Sequence, residues 1–320
     1  MGRDHESLAG SKETRQELLQ RFEGKIPESI MVYNRSDRAI DFVADKRANE
    51  VKKNLQIESD SLLEEGSKEF DFIVDQEEYT RSIKSGFGGS RGTKDDSKAL
   101  SRFFQNIARN VIKFYTEEGD IIVDPFAGHN SRFEAAFRTK RHYYGQDLCH
   151  EFMVDNFKIR DILLKQREDL LFVKEEQTII ELTEGDSRHL PWPDNFGNFT
   201  ITSPPYWDIE FYGTEAEQLG TGKSYREFLQ GMYEVAKENY RVLKPGSFCV
   251  WAINDFIKNG NMYSYHIDTL NILMKAGFIN WDIIIVDLGS SLRSIFFGAS
   301  FKAKRIPKRH EYMVVVRKPF

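Results

Sequence analysis

From residue 96 onward the chain alternates short β-branched runs with stretches of helical period, and this alternation constrains its fold more than any other feature. Asp96 or Ser97 is placed to cap a helix whose apolar positions run Leu100, Phe103, Phe104, Ile107, Val111 and Ile112, closed by Gly119. Seven strand candidates follow: "DIIVDPF", "HYYGQD", "TIIEL", "FTITSPP", "SFCVWAIND", "NWDIIIVDL" and "EYMVVVRK". Helical patterns between them run to about Thr139, from about Cys149 to Glu168, from about Tyr225 to Leu243 with Pro245-Gly246 as the stop, and over about 265–275. Strands separated by helices predict an α/β chain with a seven-stranded, mostly parallel sheet and helices on both faces.

Residues 1–95 carry no sustained period, and "SGFGGSRG" at 85–92 reads as a mobile loop. The expected division is a partly ordered extension over 1–95 and a single larger domain over 96–320. A 40% hydrophobic content and 25 Phe can fill its core. No apolar run approaches the ~20 residues that span a bilayer, so no membrane segment is predicted. The polar "MGRDHESLAG" argues against secretion, which makes a cytoplasmic protein the expectation. Cys149 and Cys249 fall inside elements as small core residues, and metal-ligand spacing is absent.

A net charge of −5 argues against indiscriminate binding of polyanions. Its distribution is uneven. Arg293, Lys302, Lys304, Arg305, Lys308, Arg309, Arg317 and Lys318 are opposed only by Glu311 in their stretch. Phe296, Phe297 and Phe301 interleave with these cations, a composition suited to phosphate contact with some base readout. The alternative is an ordinary solvated loop.

Three strand ends carry an aspartate. "DPFAGHNSR", Asp124 to Arg132, is a strand, an acid, a glycine turn and a helix, which lets backbone approach a ligand closely. It lacks the GK[ST] of a phosphate-binding loop, so Asp124 suggests a cationic group nearby, such as an amino group. Asp147, ending the second strand, is placed for ribose hydroxyls, and Asp186 in "GDSRHL" for an adenine amino group. Together they outline a nucleoside site; taken singly, each also suits a helix N-cap. In "TSPPYW", Pro204 and Pro205 must end their strand, leaving a stiff loop at its carboxyl edge. Trp207 and Tyr212 either line the same pocket or pack beneath that loop, and Asn254-Asp255 either borders the site or caps a loop.

"DPFAG", "GDSRHLPWP", "TSPPYW", "FYGTEAEQLG", "YRVLKPGSFCVWAIND" and "HEYMVVVRK" occur in an order that resembles the S-adenosylmethionine-dependent DNA amino-methyltransferases, over about residues 96–320 and in the gamma-like arrangement. The resemblance implies a Rossmann-like methyltransferase fold and S-adenosylmethionine as cofactor. It implies cofactor contacts by Asp124, Pro125, Phe126, Ala127, Gly128, Asp147, Asp186 and Ser187, and a catalytic motif of Ser203, Pro204, Pro205 and Tyr206. One departure is His129-Asn130-Ser131, where relatives usually carry a second glycine; Asn130 tolerates the left-handed region best among non-glycine residues. His129 is either functional or a solvent-facing turn histidine.

An exocyclic amine is a poor nucleophile because its lone pair is delocalised into the ring. Ser203 Oγ and the Pro204 carbonyl are natural acceptors for its hydrogens, and the two prolines aim that carbonyl. A duplex base must be extruded to reach them, and Tyr206 is the candidate to stack on it. Ser203 favours cytosine N4 as the target. The alternatives are adenine N6, an RNA base, and a non-catalytic nucleic-acid-binding relative. No recognition insert fits between Gly128 and Ser203. Double-stranded DNA is therefore expected to meet the extension, the basic segment around 289–309 (Arg293, Lys302, Lys304, Arg305, Lys308, Arg309), or both. A cognate restriction endonuclease or other defence-system component is the further partner the resemblance implies.

Overall fold

The computed structural model describes residues 30–32, 105–129, 131–169, 178–287, 303–306, 308 and 310–320. Its strands are β1 (Ile30–Val32), β2 (Ile121–Asp124), β3 (His142–Asp147), β4 (Ile180–Glu184), β5 (Gly197–Thr202), β6 (Leu243–Ile253), β7 (Phe256–Lys258), β8 (Asn261–Tyr263), β9 (Ile279–Asp287) and β10 (His310–Arg317). Its helices are α1 (Gln105–Tyr115), α2 (Ser131–Arg138), α3 (His150–Asp169), α4 (Tyr225–Val242) and α5 (Tyr265–Lys275).

The main sheet runs β1-β9-β10-β6-β5-β2-β3-β4. All seven predicted strands are in it, and β10 alone runs against its neighbours, β6 and β9. The eighth strand, β1, lies inside the N-terminal extension and pairs parallel with β9, Ile30 opposite Ile285. The predicted cap at Asp96 or Ser97 and the apolar positions 100–104 lie outside the described residues.

Side chains alternate between the two faces of the sheet. Val250 and Ala252 of β6 join Met313 and Val315 of β10 in a core with α1, α2 and α3. Cys249, Trp251 and Ile253 join Val314 and Val316 in the opposite core with α4 and α5. Central strands buried on both faces read as unbroken apolar runs, which explains "FCVWAI" and "YMVVV". Both cysteines are buried and free.

Helix α4 starts in a capping box between Ser224 and Glu227. It ends at Val242, within one residue of the predicted Leu243 and just ahead of Pro245-Gly246. Leu243 is already extended at φ −77° and ψ 144° and begins β6. The cause lies one residue before the proline: the ring disfavours helix at Lys244, so the chain extends at once. A second, small sheet, β7–β8, turns at Asn259 and Gly260, with φ of 51° and 79°. Two left-handed residues in a two-residue loop make a type I′ hairpin turn.

The strand order places the site. The chain winds outward from β2 to β4, returns to β5 beside β2, then continues to β6. The loops after β2 and β5 therefore leave the sheet side by side at the point where the winding reverses, where ligands bind in open α/β sheets.

Candidate active site

A cleft of about 840 Å³ opens at this point. That figure includes the open space at the cleft mouth. One wall is made by Phe126, Gly128, Asp147, Leu148, Phe152, Asp186 and Ser187, and the other by Ser203, Pro204, Pro205, Tyr206, Glu210, Tyr212 and Leu219.

Asp124, at the tip of β2, does not reach the cleft. Its carboxylate is fully buried and accepts from Arg132 Nε, Tyr143 Oη, Thr202 Oγ1 and its own Phe126 amide, at 2.5, 2.7, 2.6 and 3.1 Å. The cation expected beside Asp124 is thus the chain's own Arg132. Burial alone would depress the Arg132 guanidinium, and Asp124 more than restores its charge. Pro125 and Ala127 are likewise buried outside the cleft wall.

The loop above Asp124 is fully braced. Its carbonyls are taken in turn by side chains: Pro125 by Ser187 Oγ, Phe126 and Ala127 by Arg132, and Gly128 by Asn156 Nδ2. Its amides are also engaged, Ala127 with Gln146 O at 2.9 Å and Gly128 with Asp147 Oδ2 at 2.7 Å. With the amides of Phe126, Ala127 and Gly128 all turned inward, the loop presents no nest for a phosphate. Gly128 holds φ +50°, the conformation glycine adopts most cheaply. Asn130 lies outside the described residues, while His129 lines the cleft and packs on Phe152 at 4.7 Å.

Asp147 also accepts from the Cys149 amide at 2.9 Å. Burial raises its carboxyl to about 6, against the lowering effect of these backbone donors. Asp186 lines the cleft, but its carboxylate is held bidentate by Arg188, with the closest contact 2.6 Å. Burial would raise it; the Arg188 hydrogen bonds prevail and keep it below the usual carboxylate range. Gln146 Nε2 anchors the same loop through the carbonyls of Asp186 and His189.

On the opposite wall, the Pro205 carbonyl accepts from Tyr265 Oη at 3.2 Å. Ser203 Oγ and the Pro204 carbonyl take no protein hydrogen bond among the described residues, and both residues line the cleft. The Tyr206 ring packs edge-on against Tyr265 at 6.1 Å, and burial pushes its phenol well above its ordinary value. Its amide donates to Tyr212 Oη at 3.1 Å, and that hydroxyl donates to Glu210 at 2.6 Å. Burial raises the Glu210 carboxyl.

The two aromatics left open by the sequence separate: Tyr212 lines the cleft, and Trp207 packs beneath the loop. Trp207 adopts φ +48°, donates to Lys223 O at 2.8 Å, and lies under the Lys258 ammonium at 4.1 Å. Gly220 passes so close that a Cβ there would sit 2.1 Å from the Trp207 carbonyl oxygen.

Asp255 follows β6 and is 2% exposed; it binds His266 and Lys308, each at 2.5 Å, and so anchors the chain beyond β9. Burial would raise its carboxyl, but those two partners hold it low. Lys308, expected on DNA, therefore has its charge engaged within the protein. Arg305 is exposed and donates to Gly260 O at 2.5 Å, and Lys304 is exposed. Arg293, Lys302 and Arg309 lie outside the described residues, as do Phe296, Phe297 and Phe301.

Sequence reasoning did not single out Arg132 or Glu210. Arg132 had a signal: a cation in the first turn of a helix opposes the macrodipole and calls for a carboxylate partner. Glu210 had none, because acids are common in loops.

A family described as DNA methylase, of the N6/N4 type, matches residues 21–156 and 198–319. The Type II beta methyltransferase M.BslI of Bacillus sp. (strain NEB-606) is 31% identical over 122 residues, 34% of this chain and 13% of that protein's length. Among solved structures, a candidate DNA modification methylase from Thermus thermophilus, crystallised with S-adenosyl-L-methionine, is 28% identical at a TM-score of 0.33, covering 42% of this chain and 54% of that one. A SAM-dependent methyltransferase from Methanosarcina mazei is 12% identical at 0.43, covering 66% and 97%. The family match takes in the loops after β2 and β5 and well over half of the residues, and the chain belongs to the N6/N4 DNA methylase family.

Proposed function

We propose that this cleft transfers a methyl group from S-adenosylmethionine to the exocyclic amine of a base extruded from double-stranded DNA, with cytosine N4 the favoured target. The observation that carries the reading is the pair of acceptors without a hydrogen bond among the described residues, Ser203 Oγ and the Pro204 carbonyl, on residues that line the same cleft as Asp147.

The residues present fit that cofactor. A nucleoside without phosphates suits a loop whose Phe126, Ala127 and Gly128 amides are engaged internally. Asp147 has lone pairs left for ribose hydroxyls beyond its two backbone donors. Unlike Asp186, neither Asp147 nor Glu210 forms a salt bridge to a guanidinium among the described residues, although Arg132 also lines the cleft and acts on Asp147 through its charge. S-adenosylmethionine supplies an electrophilic methyl group on a sulfonium.

The chain's own residues act on the amine. Ser203 Oγ and the Pro204 carbonyl accept its two hydrogens, which favours a pyramidal nitrogen with its lone pair free; once methylated, that nitrogen is cationic and acidic and releases one of the two hydrogens as a proton to solvent. Their placement before the reaction is what lowers the barrier, because no reorganisation is needed as charge develops. Tyr206 offers the extruded base a ring. Adenine N6 presents the same two hydrogens and is the second reading. Exposed Lys304 and Arg305 are the candidates for phosphate contact. The Type II name of the M.BslI relative supports a cognate restriction endonuclease as a partner.

The test is transfer of labelled methyl groups from S-adenosylmethionine to mixed-sequence duplex DNA, followed by nucleoside digestion and mass spectrometry. N4-methylcytosine is the expected product. N6-methyladenine would overturn the choice of base, and cofactor binding with label appearing only in RNA would overturn the polymer.

A further inference from the structure

Phe211 is a large aromatic that the fold does not use. It is 46% exposed, and no ring or cation contacts it among the described residues. The other exposed aromatics among the described residues have partners: Phe114 meets Tyr115 at 4.9 Å, Trp281 meets Phe248 at 5.3 Å, and Phe320 meets the Arg317 guanidinium at 4.4 Å.

Its place on the chain gives the exposure a direction. Residues 209–212 alternate, with Glu210 and Tyr212 in the cleft wall and Ile209 and Phe211 outside it, exposed at 42% and 46%. The segment is braced. Ile209 N donates to Tyr206 O at 3.0 Å, and Lys258 Nζ holds both the carbonyl and the carboxylate of Asp208, at 3.0 and 2.5 Å. A rigid rim thus carries an unused ring five residues from Tyr206.

A base that leaves a duplex leaves two unstacked neighbours and a gap one ring thick. Apolar side chains offset that loss by entering the step. We infer that Phe211 enters the base stack of double-stranded DNA at the position the target base vacates, with Ile209 as its apolar neighbour. The inference rests on the DNA-methylating reading of the cleft.

To test it, the full chain first methylates mixed-sequence duplex DNA, and the modified position is mapped. Two duplex oligonucleotides carry that sequence, one with the target base paired and one with it facing an abasic site. Phe211→Ala should lose about 10–100-fold in kcat/KM on the paired duplex, the range of one aromatic–base stack. On the abasic duplex, where little pairing opposes extrusion, it should match wild type within about threefold. Phe211→Trp should retain most activity on both. Equal losses on the two duplexes, or no loss on the paired one, would overturn the inference while leaving the activity intact. A wild-type chain that binds S-adenosylmethionine but labels no DNA would overturn the reading of the cleft, and this inference with it.

Discussion

Arg132 donates from Nε to Asp124 Oδ2 across 2.5 Å, and the two side chains are 4% and 0% exposed. The same guanidinium holds the carbonyls of Phe126 and Ala127, so one ion pair fixes the loop that walls the cleft.

Breaking that pair from one side should be costly. Asp124→Asn leaves a buried cation uncompensated, and the expected loss is about 3–5 kcal/mol in urea denaturation. Replacing both partners, Asp124→Asn with Arg132→Met, should recover part of it. A double variant no more stable than the single would assign the loss to the loop carbonyls and not to the charge.

If Asp147 holds the ribose as proposed, cofactor affinity depends on pH. Its carboxyl titrates at about 6 in the fold, against about 3.9 unfolded. The folded state holds the proton more tightly, so this group's contribution to stability is full below about pH 4 and is lost as pH rises to about 6. Binding runs the other way, because ribose hydroxyls need the carboxylate. Calorimetric titration should find S-adenosylmethionine affinity falling as pH drops below about 6, up to about tenfold per unit. Asp147→Asn should bind more weakly at pH 7.5 and lose that dependence. A wild-type affinity flat from pH 5 to 8 would remove Asp147 from the ribose.

Ser203→Ala deletes one of the two acceptors without touching the opposite wall. A hydrogen bond to a group developing charge is worth roughly 1.5–3 kcal/mol, so single-turnover methyl transfer should slow by about 10–100-fold. The cofactor dissociation constant should not change. A variant that binds cofactor poorly and turns over normally would invert these roles.

The basic residues divide by their partners. Arg305→Ala should flatten the salt dependence of DNA binding, reducing the slope of log K against log salt by about 0.9. Lys308→Ala should leave that slope alone and instead destabilise the protein by about 1–3 kcal/mol, since the buried Asp255 carboxylate loses a partner. Equal slopes for wild type and Arg305→Ala would exclude Arg305 from the phosphates.

The central sheet was legible because its strands are buried on both faces and read as apolar runs bounded by Asp, Gly or Pro. Helix α5 falls on its predicted span, 265–275, because its period is undisturbed. The β7–β8 hairpin escaped the pattern reading, although Asn259-Gly260 is a strong turn signal, because three-residue strands carry too little periodicity. Strand β1 escaped for a related reason: three residues have no period, and their pairing is set by β9 far along the chain. At the site, sequence located acids at strand tips but not what neutralises them. Asp124 meets Arg132 and Asp186 meets Arg188 within the chain, whereas Asp147 and Glu210 form no salt bridge among the described residues. That distinction depends on side-chain direction, which a pattern of residue types does not encode.

The pairing of Ile30 with Ile285 also sets an order of assembly. A ribosome adding about 5–20 residues per second needs roughly 10–50 s to make the intervening chain. Throughout that interval residues 30–32 wait without their strand partner, and the edge of β9 at residues 285–287 is covered only after it emerges. The first-made segment of this sheet is thus among the last to join it, so translation speed governs how long an unpaired strand edge is open to other chains.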